Sequence, residues 1–200
     1  MLTIVSVAFC FSFTTSHASS GVSLGGNENS TFWESVLESG IVNANDIKVD
    51  KNQIQMAEKL SNYFEEDADG NINFTADKET LMQMGISESD AELMTSISSD
   101  DELTIAEGDQ QLQGFVGLHL KLGPKVRAMS AVVAGAFAAG YVGWYVKKIA
   151  ATGPWGAGAA AAITAATAGV VGYAVKKGLK KVDVGVNIPF VSLSFTVSIP

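Results

Sequence analysis

The chain has 200 residues, enough for one ordinary domain or two small ones, and its single cysteine, Cys10, excludes a disulfide framework and a thiolate zinc site. The net charge of −8 is an average over two unlike parts. Residues 1–112 hold 20 acidic residues and four lysines, a net charge of −16, whereas residues 113–200 hold nine basic residues and Asp183, a net charge of +8. Such an asymmetry is typical of an interaction segment or of a membrane partner.

Residues 1–18 have the pattern of a secretory signal peptide. Leu2 to Phe13 are almost wholly apolar, and Ser16 and Ala18 put small residues at the −3 and −1 positions of a cleavage site. The apolar run is shorter than the roughly 20 residues that span a bilayer. We therefore predict an exported chain with a leader at 1–18, followed by a linker with a short helix at 19–49. An uncleaved anchor is the alternative.

The acidic region that follows is predicted to form short amphipathic helices. Asp50 and Gln53 fit a capping box, which opens a helix with one apolar face made of Ile54, Ala57, Leu60 and Phe64. A second helix is predicted around Asp77–Met84. Ser87 with Asp90 is predicted to cap a third.

Two segments of this region resemble the twelve-residue loops of EF-hand proteins, in which oxygens at positions 1, 3, 5, 7, 9 and 12 surround calcium. The ligand positions of the first loop hold Glu65, Asp67, Asp69, Asn71 and Asn73, with Gly70 at the turn. Those of the second hold Ser96, Ser98, Asp100, Glu102, Thr104 and Glu107. Because the helix–loop–helix order repeats, residues 50–112 resemble a degenerate EF-hand pair. The resemblance implies that Ile72 and Leu103 pair across a short strand.

Both loops depart from the EF-hand pattern. Ala76 stands at position 12 of the first loop, and Asp101 stands at position 6 of the second, whose positions 1 and 3 are serines. Fewer carboxylates mean weaker binding, so the resemblance implies weak affinity for calcium. The alternative is an acidic helical bundle in which Asp69-Gly70 is a turn and the carboxylates are solvated.

Residues 113–200 are predicted to form a cationic Gly/Ala-rich helical hairpin. Ala128–Val146 and Ile149–Val175 are uncharged runs, separated by a basic turn at Lys147-Lys148. Small residues recur at four-residue spacing, a pattern typical of helices that pack closely in lipid: Ala131, Gly135, Ala139 and Gly143, then Gly158, Ala162 and Ala166. The run lengths predict a lipid membrane as partner, either through conditional insertion or through stable transmembrane helices. The small-residue faces predict self-association. A buried soluble hairpin is the alternative.

Short strands are predicted on both sides of this hairpin. Val116–Leu122 alternates apolar and polar residues, and so do Val182–Ile188 and Val191–Ile199. The last two are expected to form a β-hairpin that turns near Asn187–Phe190, with a solvated Ser/Thr face. The predicted fold class is thus mainly α: a small acidic EF-hand-like helical domain, then a Gly/Ala-rich helical hairpin flanked by short amphipathic β-strands.

The residue types exclude most enzyme classes. His119 is the single histidine beyond the leader, and no cysteine accompanies it, so nucleophilic schemes that depend on His or Cys have almost none of their groups. The sequence carries no P-loop and no basic patch with stacking aromatics, which argues against a nucleotide substrate and nucleic acid. We predict no enzyme and no small-molecule substrate.

The order of leader, acidic region and basic Gly/Ala-rich segment resembles, in layout, the precursors of bacteriocin-type toxins. The layout implies a secreted, membrane-associated, antimicrobial polypeptide with an acidic N-terminal pro- or regulatory domain. The alternative is an exported, membrane-anchored calcium-binding EF-hand protein with a binding or structural role.

Overall fold

The computed structural model describes residues 49–97, 103–107, 115–150, 157–187 and 193–200. The predicted leader and all but the last residue of the predicted linker lie outside these residues. The described part holds six helices and six strands, arranged in two small sheets and a set of packed helices.

The acidic region forms three short helices and a hairpin: α1 (Lys51–Ser61), β1 (Phe64–Glu66), β2 (Ile72–Phe74), α2 (Lys78–Gln83) and α3 (Glu88–Thr95). The predicted N-caps are confirmed for α1 and α3. The Asp50 carboxylate accepts from Asn52 N, and Ser87 Oγ accepts from Asp90 N. Asp77 caps α2 in the same way, and each cap satisfies a backbone N–H that has no partner inside the helix.

The acidic region ends with β3 (Thr104–Glu107). The cationic half contributes β4 (Phe115–Leu122), α4 (Pro124–Ala128), α5 (Ala131–Ala150), α6 (Ala157–Lys176), β5 (Lys181–Asn187) and β6 (Leu193–Ile199). The basic pair Lys147-Lys148, predicted as a turn, lies inside α5, which continues to Ala150. Helices α5 and α6 pack against each other, and we call them the helix pair.

The larger sheet has the strand order β3-β6-β4-β5. β4 pairs antiparallel with β5 and parallel with β6, and β3 pairs antiparallel with β6. The predicted β-hairpin of the last two strands is wrong, since β4 lies between them. The predicted fold class is also wrong: the protein is a mixed α/β fold and not mainly α. The reason is that strands remote in sequence close into one sheet beside the helices.

The sheet has one apolar and one polar face, as the alternation predicts. Leu118, Leu120, Val184 and Val197 are at most 2% exposed and belong to the same core as the helix pair. Ser194, Thr196 and Ser198 on β6 are partly exposed on the opposite face. β5 packs on α6, and Phe195 of β6 meets the Tyr145 ring of α5 at 6.5 Å, so the sheet covers part of the helix pair.

An aromatic cluster joins the acidic region to α5. The Phe64 ring of β1 lies 5.3 Å from the Phe137 ring and 5.2 Å from the Tyr141 ring. Tyr141 also stacks on Trp144, with an angle of 13° between the planes. Tyr141 is fully buried, and its hydroxyl has no hydrogen-bond partner within the described part of the chain. Burial raises the pKa of the Tyr141 phenol, because the ionised form would be desolvated.

Tyr141→Phe is expected to leave the free energy of unfolding unchanged or to raise it by up to about 1 kcal/mol, because it removes an unpaired buried hydroxyl. Thr164→Val is the matched control, since the buried Thr164 hydroxyl donates to Ala160 O at 2.9 Å. Loss of that bond should lower the free energy of unfolding by about 1 kcal/mol. Urea denaturation measures the free energy of unfolding of both variants. A Tyr141→Phe loss as large as that of Thr164→Val would show that the phenol has a partner.

Candidate functional site

Helix α1 of the acidic region lies against α5 and also contacts α6. Its apolar face, with Ile54 at 2% exposure and Ala57 and Leu60 at 0%, is buried there as predicted. The approach is close: a Cβ at Gly140 would lie 2.9 Å from Ala57 O and 3.2 Å from Leu60 Cβ. A glycine on α5 therefore lets the α1 backbone lie directly on the helix pair.

Gln53 fastens α1 to both helices of the pair. Its side chain is 5% exposed, and its Nε2 donates to Val132 O at 3.1 Å and to Ala168 O at 3.2 Å. The predicted capping-box role of Gln53 is therefore wrong, because its amide points into the helix pair. A Cβ at Gly135 would lie 2.2 Å from Gln53 Nε2 and 2.3 Å from Ala168 O. Gly135 thus leaves the space that the Gln53 amide fills.

Asp90 makes a second polar link between the acidic region and the helix pair. It is 5% exposed, and its carboxylate accepts from Ser130 N at 2.8 Å and from Ser130 Oγ at 2.7 Å. Ser87 Oγ donates to the same carboxylate at 2.9 Å. Ser130 O accepts from Ala134 N, so the carboxylate lies at the start of α5, where negative charge is favoured.

Charged groups of the two halves also meet at the ends of the helix pair. Burial lowers the pKa of Lys147 in α5, and the nearby Glu58 carboxylate of α1 acts in the opposite direction. At the other end, Lys125 Nζ donates to Ser96 O beyond α3. The acidic region therefore contacts the cationic half at both ends of α5 as well as along it.

These contacts account for the apolar character of the helix pair. From Val133 to Val142 every residue of α5 is buried, and so is nearly every α6 residue from Ala160 to Gly172. No helix in the described part of the chain is long and apolar enough to cross a membrane. The predicted transmembrane helix is therefore wrong, and the apolar faces of α5 and α6 are covered by each other, by α1 and by the sheet.

The small-residue faces have neighbours within the chain. Gly135 and Gly140 adjoin α1, and a Cβ at Gly172 would lie 2.9 Å from Ala131 O of α5. Of the residues at four-residue spacing, Gly135 thus packs against α1 and α6, and Ala131 packs against α6. Self-association through these faces stays a prediction.

The first predicted calcium loop is a two-stranded hairpin. Glu65 lies opposite Asn73, and Glu66 lies opposite Ile72, in the antiparallel pair of β1 and β2. β3, which follows Leu103, pairs with β6 and not with β2. Ile72 therefore has its strand partner within its own loop.

The turn of this hairpin is organised by Asp67. Its Oδ1 accepts from Asp69 N at 2.9 Å and from Asn71 N at 2.8 Å, and its Oδ2 accepts from Asn71 Nδ2 at 3.0 Å. These bonds, above all the one from the Asn71 side chain, hold the pKa of the exposed Asp67 carboxyl below its usual range. Four of the five predicted ligand residues, all but Asn73, are exposed; Asp67 is engaged within the loop.

The residues of the second predicted calcium loop belong to different elements of the structure. Ser96 ends α3 as its C-cap, and Thr104 and Glu107 belong to β3, whereas Ser98, Asp100 and Glu102 lie outside the described residues. Among the residues that are described, no three His, Asp or Glu side chains form a group able to hold a metal ion. Calcium binding by either loop stays a prediction.

The polar face of the larger sheet carries a hydrogen-bonded His–Asp pair and a pair of lysines. His119 Nδ1 lies 2.7 Å from Asp183 Oδ1, across the pairing of β4 with β5. One row further along the same face, Lys121 lies opposite Lys181. His119 is thus partly buried and hydrogen-bonded to Asp183.

Comparisons with protein-family models, with curated proteins and with solved structures give no match. Gln53 and Asp90 are the residues whose role the sequence pattern did not predict. Both occupy positions typical of helix caps, and their burial against the helix pair was not encoded in any local pattern. The one available signal was a polar residue on the apolar side of an amphipathic helix.

Proposed function

We propose that the chain is an exported, membrane-active polypeptide whose cationic half binds and perturbs anionic bilayers, and whose acidic region keeps that half covered. The observation that carries the proposal is the seating of α1 on the helix pair through Gln53, Ile54, Ala57 and Leu60. The region that supplies this cover has a net charge of −16, and the half that it covers has a net charge of +8.

The acidic region prevents two interactions of the helix pair with a membrane. The first is burial of apolar surface on α5, which contributes about 25 cal/mol per Å² whether α1 or lipid covers that surface. The acidic region also offsets the positive charge that would attract anionic lipid, at about 1 kcal/mol for each basic residue near the surface. Uncovering the helix pair would restore both, and binding would occur at the bilayer surface without a spanning helix.

Ala57→Glu in the full chain is expected to cause dye leakage from vesicles that contain phosphatidylglycerol. Ala57 is fully buried against Gly140, and an unpaired buried carboxylate costs several kcal/mol, so α1 should undock. Each 1.4 kcal/mol of lost docking energy raises the uncovered fraction about tenfold. The unsubstituted chain should give background leakage at the same concentration.

Gln55→Glu is the matched control, because it makes the same charge change at an exposed position of α1 and should leave leakage at background. Near-ultraviolet circular dichroism shows whether Ala57→Glu keeps its remaining tertiary structure. A second arm places a protease recognition sequence within residues 108–114 and compares leakage before and after cutting. If the substituted and the cut chains release no more dye than Gln55→Glu, the protein does not act on membranes in this way.

A further inference from the structure

A cavity of about 440 Å³ lies at the edge of the larger sheet, where β4, β5 and β6 meet α4. Among the described residues, four lysines line it, namely Lys121, Lys125, Lys180 and Lys181, and no aspartate or glutamate does. These residues come from two segments separated by more than 50 positions, so the cluster is a product of strand pairing.

The lysines are held close together by the sheet register. Lys121 of β4 is paired with Lys181 of β5, and Leu122 N donates to Lys180 O at 2.8 Å. Like charges directly opposite each other on antiparallel strands destabilise a sheet. Among the described residues, Lys121, Lys180 and Lys181 make no salt bridge. Asp183 lies one row away on the same face and is engaged with His119. The fold thus gathers positive charge that a bound anion would balance.

The rest of the lining is mainly apolar. Leu122 and Ile199 belong to the lining but are only 4% and 1% exposed, so its accessible apolar surface comes from the more exposed Pro124 and Pro200 and from the lysine stems. Ser198 is paired with Lys121 across β4 and β6 and adds a hydroxyl to the rim. Ammonium groups beside accessible apolar surface fit an anionic group attached to an apolar body better than a bare ion.

We infer that this cavity binds a phosphate group, and that a phospholipid headgroup supplies it, with the phosphate between Lys121 and Lys181 and the glycerol portion against Pro124 and Pro200. The inference deepens the proposed function by naming the lipid group that the cationic half recognises, and its lipid source rests on that function. Ammonium groups bind phosphate as donors of charge-assisted hydrogen bonds.

The test titrates the full, covered chain with monomeric dihexanoyl phosphatidylglycerol and, separately, with inorganic phosphate, followed by amide chemical shifts. Lys121→Gln combined with Lys181→Gln is expected to raise the Kd for the lipid at least about tenfold. The matched control combines Lys176→Gln with Lys177→Gln, two exposed lysines outside the cavity lining. It makes the same change of net charge, and the Kd should stay within about threefold, because long-range attraction is screened by salt.

The outcomes separate the possibilities. Saturable lipid binding that only the Lys121/Lys181 variant weakens supports the inference. Inorganic phosphate that binds as tightly as the lipid, with the same dependence on Lys121 and Lys181, supports the phosphate site but overturns the lipid source. Absence of saturable binding, or equal weakening by both double variants, overturns the site. None of these titrations depends on leakage, so vesicle leakage without phosphate binding defeats this inference alone, and phosphate binding without leakage defeats the proposed function alone.

Discussion

Gly135→Ala is expected to lower the free energy of unfolding by about 3 kcal/mol. The new methyl group would lie 2.2 Å from Gln53 Nε2 and 2.3 Å from Ala168 O, and the second of these atoms is backbone that a rotamer change cannot move. Overpacking of a core costs about 1–3 kcal/mol, and displacement of the Gln53 amide adds the loss of its two bonds to buried carbonyls. The better helix propensity of alanine returns about 1 kcal/mol.

Gly178→Ala is the comparison variant for this experiment. Gly178 has φ +67° and nothing within 4 Å of a built Cβ, so the change should cost about 1 kcal/mol through backbone strain alone. Chemical denaturation followed by circular dichroism measures both variants. If Gly135→Ala costs no more than Gly178→Ala, α1 is not seated on α5 as closely as the structure has it.

Asp90→Ala is also expected to lower the free energy of unfolding by about 3 kcal/mol. The buried carboxylate accepts three hydrogen bonds, two from Ser130 and one from Ser87, and a bond to a charged group contributes about 1.5–3 kcal/mol. Its removal leaves the start of α5 without this acceptor and frees α3 from the helix pair. Asp90→Asn should cost less, about 1 kcal/mol, because its amide oxygen can still accept from Ser130 N.

The control for Asp90 is Asp69→Ala in the exposed β1–β2 turn. The Asp69 side chain is exposed, and the turn is held by the Asp67 carboxylate, so the change should stay within about 0.5 kcal/mol. Denaturant midpoints measured at neutral pH compare the three variants. Similar midpoints for Asp90→Ala and Asp69→Ala would contradict the proposed link between α3 and α5.

Local features of the fold were predictable because they depend on near neighbours in the chain. The caps at Asp50 and Ser87 follow from the hydrogen bonds that short polar side chains offer to the first turn of a helix. The apolar face of α1 follows from its helical periodicity, and the polar and apolar faces of β6 follow from its period-two alternation. None of these features requires knowledge of a distant partner.

Most of the failed predictions concern distant partners. β4 lies between β5 and β6, although β5 and β6 are adjacent in sequence and suggested a hairpin. Gln53 bonds to Ala168, 115 positions away, and Asp90 bonds to Ser130, 40 positions away. A cap position identifies a polar side chain, and only the packing of elements determines whether that side chain satisfies its own helix or a neighbouring one.

The sequence by itself determined the division of charge and the apolar runs of the cationic half, since both are properties of composition and spacing. Only the tertiary structure decided what covers those runs: α1, the neighbouring helix and the sheet, with no helix of the described residues able to cross a membrane. The physical reason is that the hydrophobic effect is non-directional. It requires apolar surface to leave water, but the choice between lipid and protein depends on which long-range contacts the chain can form.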